Sequence, residues 1–538
     1  MEPVYLLDTT LRDGMQGENI NFTPEEKIRI AKKLDDLGVH YIEGGWPGSN
    51  LSVMTFFELA KDVTFQNAKL TAFSSTRRPG RTVEEDKHLN ALIECQAPVV
   101  TIFGKTWDLH IEKIMNNTLK ENLSMIRDSV SYLKNNGREV IYDAEHFFDG
   151  YKGNREYAIK TLFSALDGGA DFVTLCDTNG GTLPHEIKAI IEDVKKTVEN
   201  TKMESGDTYT IRMGIHAHND CGVAVANSIS SVQAGAVMIH GTINGYGERC
   251  GNADLTSIIP ILCLKMSIPC LSMENLKKLK NVSRFVSETA NMTPLKSRPF
   301  VGKSAFAHKG GIHVSAVKKI PMTYEHMDPE LVGNNRRVLV SEQAGKSNIE
   351  FKAKELGIDL DLDGTDTQKI ISEIKRLEQE GYQYEVADGS FKILVEKLMG
   401  RFKPHFELRS FMVTVIKEKD RPCTAQASLK IAVGDDERIT VAEGDGPVSA
   451  LDNALRKALN KFYPGALDST HLVDFKVRVI DGRDGTKAKV RLIIESRDEK
   501  HIWGTIGISD DIIEASWEAL TDCFQYKLDN IEKEKTLK

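Results

Sequence analysis

No CxxC pair occurs among the eight cysteines, no apolar run is long enough to span a membrane, and no block of lysine and arginine stands out. Scattered thiols without a metal-type spacing fit a reduced, cytosolic protein. The start, Met-Glu-Pro-Val-Tyr, has no basic and apolar leader, so a cytoplasmic location is expected. With a net charge of −8 and no basic patch, nucleic acid is excluded as a partner. Phosphate loops are missing as well. Ala344-Gly-Lys-Ser347 has Val340 where a P-loop needs glycine, and Gly245-Tyr-Gly-Glu-Arg-Cys250 ends in cysteine where a dinucleotide loop needs glycine.

What is there is an ordinary globular composition, 41% hydrophobic and 28% charged, in a chain of 538 residues. That length allows two or three domains. Residues 1–270 repeat one unit, a short apolar strand followed by an amphipathic helix. The strands read as Val4–Thr10, Tyr41–Trp46, Lys69–Ser75, Val99–Gly104, Glu139–His146, Phe172–Thr178, Arg212–Asn219 and Met238–Gly245. Thr23-Pro-Glu-Glu26 is a strong start signal for a helix over Thr23–Leu37. Eight strand–helix units in about 250 residues predict an α/β fold, a closed (β/α)8 TIM barrel, with an open doubly wound sheet as the alternative.

Residues 271–402 read as a helical linker region, with a Gly-rich stretch over Phe300–Val314 that holds His308 and His313. Residues 403–530 read as a separate α+β domain in which a βββα unit is used twice, with helices over Val448–Phe462 and Ile512–Tyr526. Each copy has glycines nearby, Gly444-Asp-Gly-Pro447 and Gly504-Thr-Ile-Gly507, that permit approach by a small ligand or by neighbouring backbone. The Lys-rich end, Glu532 to Lys538, reads as a solvated tail.

Barrel chemistry sits at the C-terminal ends of the strands. Those ends carry Arg12, Asp13, Glu43, Asp143, Glu145, Asp177, His216, His218, Glu248 and Asn252. His216 and His218 alternate along one strand and so share a face. With Asp13 they make one carboxylate and two imidazoles, a ligand set suited to Mg²⁺, Mn²⁺ or Zn²⁺, to which Asn252 adds a carbonyl oxygen. A pair of hydrogen-bonded core histidines is the alternative. Arg12 offers a fixed positive charge beside the ligand, and Glu43 or Glu145 a proton-transfer group. Cys221 and Cys250 nearby read as buried small hydrophobes.

Leu7-Asp-Thr-Thr-Leu-Arg-Asp-Gly-Met-Gln16, the His216-x-His218 strand and Asn244-Gly-Tyr-Gly-Glu-Arg-Cys-Gly-Asn252 resemble the motifs of the DRE-TIM metallolyases. Within that superfamily the chain resembles the isopropylmalate, homocitrate and citramalate synthases over nearly its whole length. Tyr41–Asn50 and Thr101–His110 look most like the citramalate branch. The resemblance implies condensation of acetyl-CoA with a 2-oxo acid, pyruvate in that branch, followed by thioester hydrolysis. It implies that Asp13, His216 and His218 bind the metal with Asn252 beside them, and that Arg12, Glu43 and Glu145 act in catalysis. Gln16, Asp143 and Thr178 would contact substrate. His313 and Tyr324 would reach into the partner's site in a homodimer, and the C-terminal domain would bind an end-product amino acid, isoleucine in the citramalate branch. A 2-isopropylmalate synthase or a 3-hydroxyacyl-CoA lyase is the enzymatic alternative, and a sensor on an inactive barrel the non-enzymatic one. Met15 stands where many relatives have glutamate, so whatever that carboxylate does is absent here.

Overall fold

A computed structural model describes residues 3–203, 206–340, 345–360, 365–480 and 488–536. It divides into two compact units, one of Met1–Phe306 with Met327–Asn335 and one of Ala307–His326 with Arg336–Lys538.

The first unit is built on a closed barrel of eight parallel strands: β1 (Tyr5–Asp8), β2 (Tyr41–Gly45), β3 (Lys69–Ser75), β4 (Val99–Lys105), β5 (Glu139–Glu145), β6 (Phe172–Asp177), β7 (Met213–Ala217) and β8 (Met238–Gly241). Each expected strand is present, with ends that differ by at most four residues and Lys69–Ser75 matching at both. Pairing of β1 with β8, Tyr5 opposite Met238 through Asp8 opposite Gly241, closes the ring and rules out the open sheet. The expected helix starts as its sequence demands. Thr23 Oγ1 accepts the N–H of Glu26 at 3.2 Å, Glu26 accepts the N–H of Thr23 at 2.9 Å, and Pro24 begins the helix Pro24–Leu37.

The barrel interior is graded from apolar to charged. At the N-terminal end, Phe172 packs edge-on against Tyr5 at 5.6 Å and Tyr41 at 6.2 Å, with the Arg212 guanidinium 3.9 Å from its ring centre. Leu7, Val99, Ile141 and Met238 fill the next level. Above them come hydroxyl and imidazole contacts, Thr71 to Thr101 at 3.2 Å and Thr174 to His240 at 3.2 Å. The charged groups that are candidates for catalysis gather at the mouth. The apolar floor is thus what lets the polar groups above it be held in a water-poor site.

In the second unit, Ala307–His308 pairs with Arg337–Val338, and helices Lys346–Glu355, Thr365–Gln379 and Asp388–Leu398 share a core around Ile349, Ile374 and Phe391. Beyond them lie two antiparallel three-stranded sheets, Glu407–Ile416, Thr424–Val433 and Asp436–Gly444, then His471–Val479, Val490–Arg497 and Ile502–Ser509. Each is followed by its helix, Pro447–Leu459 or Ile512–Thr536. The first strand of each sheet is bulged at the same place, at Leu408/Ser410 and at Leu472/Asp474, so the duplication extends to an irregularity. The glycines serve backbone packing. A Cβ on Gly504 would lie 1.8 Å from the Val386 carbonyl oxygen, and one on Gly507 2.0 Å from that of Ala515. The basic end is helical through Thr536 rather than a loose tail, and Lys533 pairs with Glu396 at 2.9 Å. Ala344 and Lys538, which figure in the sequence readings, lie outside the described residues. No described helix is long and apolar enough to cross a membrane.

Phe172→Ala would remove the ring that the floor of the barrel is packed around. We expect a loss of about 3–5 kcal/mol in stability, read by denaturant unfolding of the barrel unit.

Candidate active site

The mouth is assembled by side chains that leave the ends of β1, β2, β5 and β7. Beyond β1 the chain turns sharply, the N–H groups of Arg12, Asp13 and Gly14 all bonding the Thr9 carbonyl, which aims Arg12 and Asp13 across the opening. His216 and His218 leave β7 on one side, as their alternation requires, with Nε2 atoms 3.3 Å apart. Asp13 Oδ2 lies 3.1 Å from His216 Nε2 and 3.9 Å from His218 Nε2. All three residues are buried, and their ligand atoms lie within 4.8 Å of one another, which makes them a possible metal site. Asn252 stands beside them. Its Nδ2 donates to the Tyr246 carbonyl at 3.1 Å, and its buried Oδ1 has no hydrogen-bond partner among the described residues. Three convergent donor atoms and one unsatisfied carbonyl oxygen fit a hard or borderline divalent cation.

Arg12 is clamped from two sides. Its Nε donates to Glu43 Oε2 at 2.6 Å, and its guanidinium lies 3.8 Å from the Phe73 ring centre. Glu43 is fully buried and its Oε1 has no hydrogen-bond partner among the described residues. Burial pushes the Glu43 carboxyl up, with Arg12 opposing. For Asp13 burial works against the charge, yet Arg12 and both histidines hold the carboxyl well below the usual carboxylate range. Burial and the neighbouring His216 push His218 down to about 4, so its imidazole is neutral and free to act as a ligand at neutral pH. Burial also pushes Asp143 up to about 7, so its carboxyl is partly protonated near neutrality.

The remaining candidates divide. Glu145 is half-buried and ion-paired with Lys105. Asp143 faces His240, with Oδ1 3.8 Å from Nδ1. Thr178 Oγ1 accepts the N–H of His146 at 2.9 Å. Gln16 is exposed on the turn Gly14–Gln16. Asp177 braces a loop through Thr182 at 2.9 Å, and Glu248 is exposed. His313 and Tyr324 belong to the second unit, where their rings stack 4.2 Å apart. Cys221 and Cys250 are exposed, against the buried role expected of them, because both sit on the loops that rim the mouth.

Three features were missed by the sequence reading. An aromatic wall of Trp46, Phe73 and Phe103 lines the Arg12 side, with Phe73 and Phe103 stacked at 5.4 Å. Phe73 and Phe103 alternate with Thr71 and Thr101 along β3 and β4, so the rule that paired the histidines would have found them. Lys105 and His240 are the second feature. The third is a clamp on Asn244, which has φ 67° and opens the loop to Asn252. Its Nδ2 donates to the Ser283 carbonyl and Ser287 Oγ, both at 2.9 Å, and Ser283 Oγ donates back at 2.6 Å. Arg298 adds a bond to the Asn244 carbonyl at 2.6 Å and pairs with Asp254.

The HMGL-like family model matches residues 3–286, which hold this barrel and the donor set at its mouth, and the chain belongs to that family. It is an enzyme, of the acyltransferase type. Models described as homocitrate synthase post-HMGL domain-like and LeuA allosteric (dimerisation) domain match residues 300–382 and 385–528. Along its whole length the chain is similar to the (R)-citramalate synthase of Aquifex aeolicus, 52% identical with 100% of both chains covered. To that of Geobacter sulfurreducens it is 51% identical, with 99% of each covered. A 2-isopropylmalate synthase of Methanocaldococcus jannaschii is 33% identical, covering 96% of this chain and 93% of that one.

Asn252 is delivered by a backbone only glycine tolerates. Gly251 has φ +87°, and a Cβ there would lie 2.0 Å from the Gly245 carbonyl oxygen. Gly251→Ala is expected to cost about 1–3 kcal/mol through strain. Unchanged denaturant stability would show that the loop does not need this conformation.

Proposed function

We propose that the chain is a citramalate synthase, condensing acetyl-CoA with pyruvate and hydrolysing the thioester to release citramalate and CoA for isoleucine synthesis. The observation that carries the reading is end-to-end identity above one half with an (R)-citramalate synthase, in a chain whose Asp13, His216, His218 and Arg12 are all in place. Asp13, His216 and His218, with the Asn252 carbonyl oxygen, would hold a divalent cation, Mg²⁺, Mn²⁺ or Zn²⁺. When bound, the cation supplies a Lewis acid that polarises the keto oxygen of the 2-oxo acid.

The chain's own residues do the rest. Arg12, kept rigid by Glu43 and Phe73, presents positive charge where the keto oxygen gains negative charge. Glu145, oriented by Lys105, takes a proton from the acetyl methyl group. Glu43, whose burial favours the protonated form, holds or returns a proton at its free Oε1. Asp143 and the Thr178 hydroxyl donate hydrogen bonds to the 2-oxo acid, and Gln16 contacts substrate at the outer rim. His313 and Tyr324 complete the mouth of a second subunit. Homodimer formation is supported by the uncovered apolar residues of the two C-terminal sheets, Met412, Ile439 and Val441 on one and Val473, Val477 and Ile502 on the other. That domain binds the feedback effector, isoleucine in this reading.

Phe73, packed on Arg12 and backed by Phe103, limits the space for the substrate's alkyl group and favours pyruvate over 2-oxoisovalerate. The resemblance to a 2-isopropylmalate synthase supports the second reading, in which the larger acid is used.

Thiol release from acetyl-CoA over a panel of 2-oxo acids tests the choice. Release with pyruvate well above 2-oxoisovalerate is expected; the reverse order would move the assignment to 2-isopropylmalate synthesis. No release with any acid would bring forward a 3-hydroxyacyl-CoA lyase. Phe73→Leu should raise the kcat/KM ratio for 2-oxoisovalerate over pyruvate by about 10-fold or more, since one or two methylenes are worth about 1–3 kcal/mol. For the shared site, mixing inactive Asp13→Ala and His313→Ala chains should restore part of the activity. Failure to do so despite demonstrated subunit exchange would place His313 in its own chain's site.

A further inference from the structure

Far from the mouth, two of the eight cysteines meet. The helix Leu255–Pro260 runs on into a wider π-helical turn, Ile261–Lys265, which carries Cys263. The chain then folds back, with the N–H of Met266 on the Ile261 carbonyl at 3.0 Å and that of Ile268 on the Leu262 carbonyl at 2.9 Å. This return brings Cys270 Sγ to 3.3 Å from Cys263 Sγ. Ordinary packing of two apolar groups would leave them farther apart. Non-bonded carbons settle at roughly 3.5–4.0 Å, and sulfur is the larger atom. The contact is that of a thiol donating to a neighbouring sulfur. Cys270 is buried and Cys263 is partly open to solvent, so the two are unequal in access.

Their acidities are unequal too. The hydrogen bond from Cys270 holds the Cys263 thiol down to about 6, while that bond and burial push Cys270 far up. A solvent-reachable thiolate with a second thiol in contact is the arrangement that oxidant-sensitive cysteines share. A buried structural cysteine has neither the access nor the neighbour.

We propose that Cys263 and Cys270 are a reversible disulfide site, with Cys263 as the attacking sulfur and Cys270 as the resolving one. The oxidant is a hydroperoxide. Cys263 thiolate attacks the peroxide, an S–O bond forms, the O–O bond breaks, and the departing oxygen takes a proton to leave as water or alcohol. Cys270 gives up its proton and attacks the same sulfur. The S–S bond forms, the S–O bond breaks, and the sulfenic oxygen leaves as water. Two thiols have then given two electrons to one hydroperoxide. A dithiol returns both electrons and regenerates the pair.

The helix that begins after Asp254 at the mouth carries Cys263 roughly 13 Å along its length toward the opposite end of the barrel. There the crosslink ties down the return segment and touches none of the residues assigned to catalysis. The site is therefore independent of the proposed reaction.

Full-length wild-type protein is treated at neutral pH with rising hydrogen peroxide, alkylated, digested without reduction and read by mass spectrometry. The segment holding both cysteines is expected to become lighter by two hydrogens, at a rate at least about 10-fold above modification of exposed Cys423, and to revert with dithiothreitol. In Cys270→Ser the sulfenic acid at Cys263 should persist long enough for trapping by a 1,3-dione. Free alkylation of both thiols after Cys423 has reacted would overturn the proposal. So would over-oxidation of Cys263 in the wild type while Cys270 stays free.

Discussion

Closure of the barrel between β1 and β8 is the constraint on which the rest depends. Asp13 follows the first strand and His216 sits on the seventh, with β8 alone between them once the ring is shut. In an open sheet with the same strands in order, these residues would lie most of the sheet's width apart. Hydrogen bonds of the last strand to the first thus create the contact between carboxylate and imidazoles, and Glu43 on β2 joins through Arg12 on the other side of β1. The charges gathered there are costly to desolvate, and pairing offsets part of that cost: Arg12 with Glu43, Asp13 with His216, Glu145 with Lys105.

Much of this was legible in the sequence, for identifiable reasons. Strands buried on both faces, broken by polar exits and capped helices, carry their boundaries in composition, so all eight were placed to within a few residues. His216 and His218 were legible because alternation is a property of one strand. The Arg12–Glu43 bond was not, since it depends on how far two strands slide past each other. The clamp on Asn244 was illegible for the same reason at longer range, as Ser283, Ser287 and Arg298 carry no pattern that names their partner. The exposed positions of Cys221 and Cys250 were misjudged because cysteine's average burial was applied to loop residues. Phe73 and Phe103 are a different case, since their alternation with Thr71 and Thr101 is visible in β3 and β4.

The second unit repeats a solution at a coarser scale. Both βββα copies keep a bulge in the first strand and glycine where strand backbone meets a neighbour, so the copies conserve shape where side chains have diverged. Their uncovered apolar strands are a poor design for an isolated chain. They suit a domain whose structural task is completed by another surface.

The Asn244 clamp has a mechanical meaning. The loop that presents Asn252 is not free-standing; it is pinned at its base to a helix outside the barrel and to Arg298, a short way before the chain leaves this unit at Phe306. Arg298 grips both the start of the loop, through Asn244, and the residue just past its end, through Asp254. Tension on the chain at that point would act as a drawstring on the loop, tightening or slackening both ends together, so that Asn252 would move with its whole loop and not by bending alone.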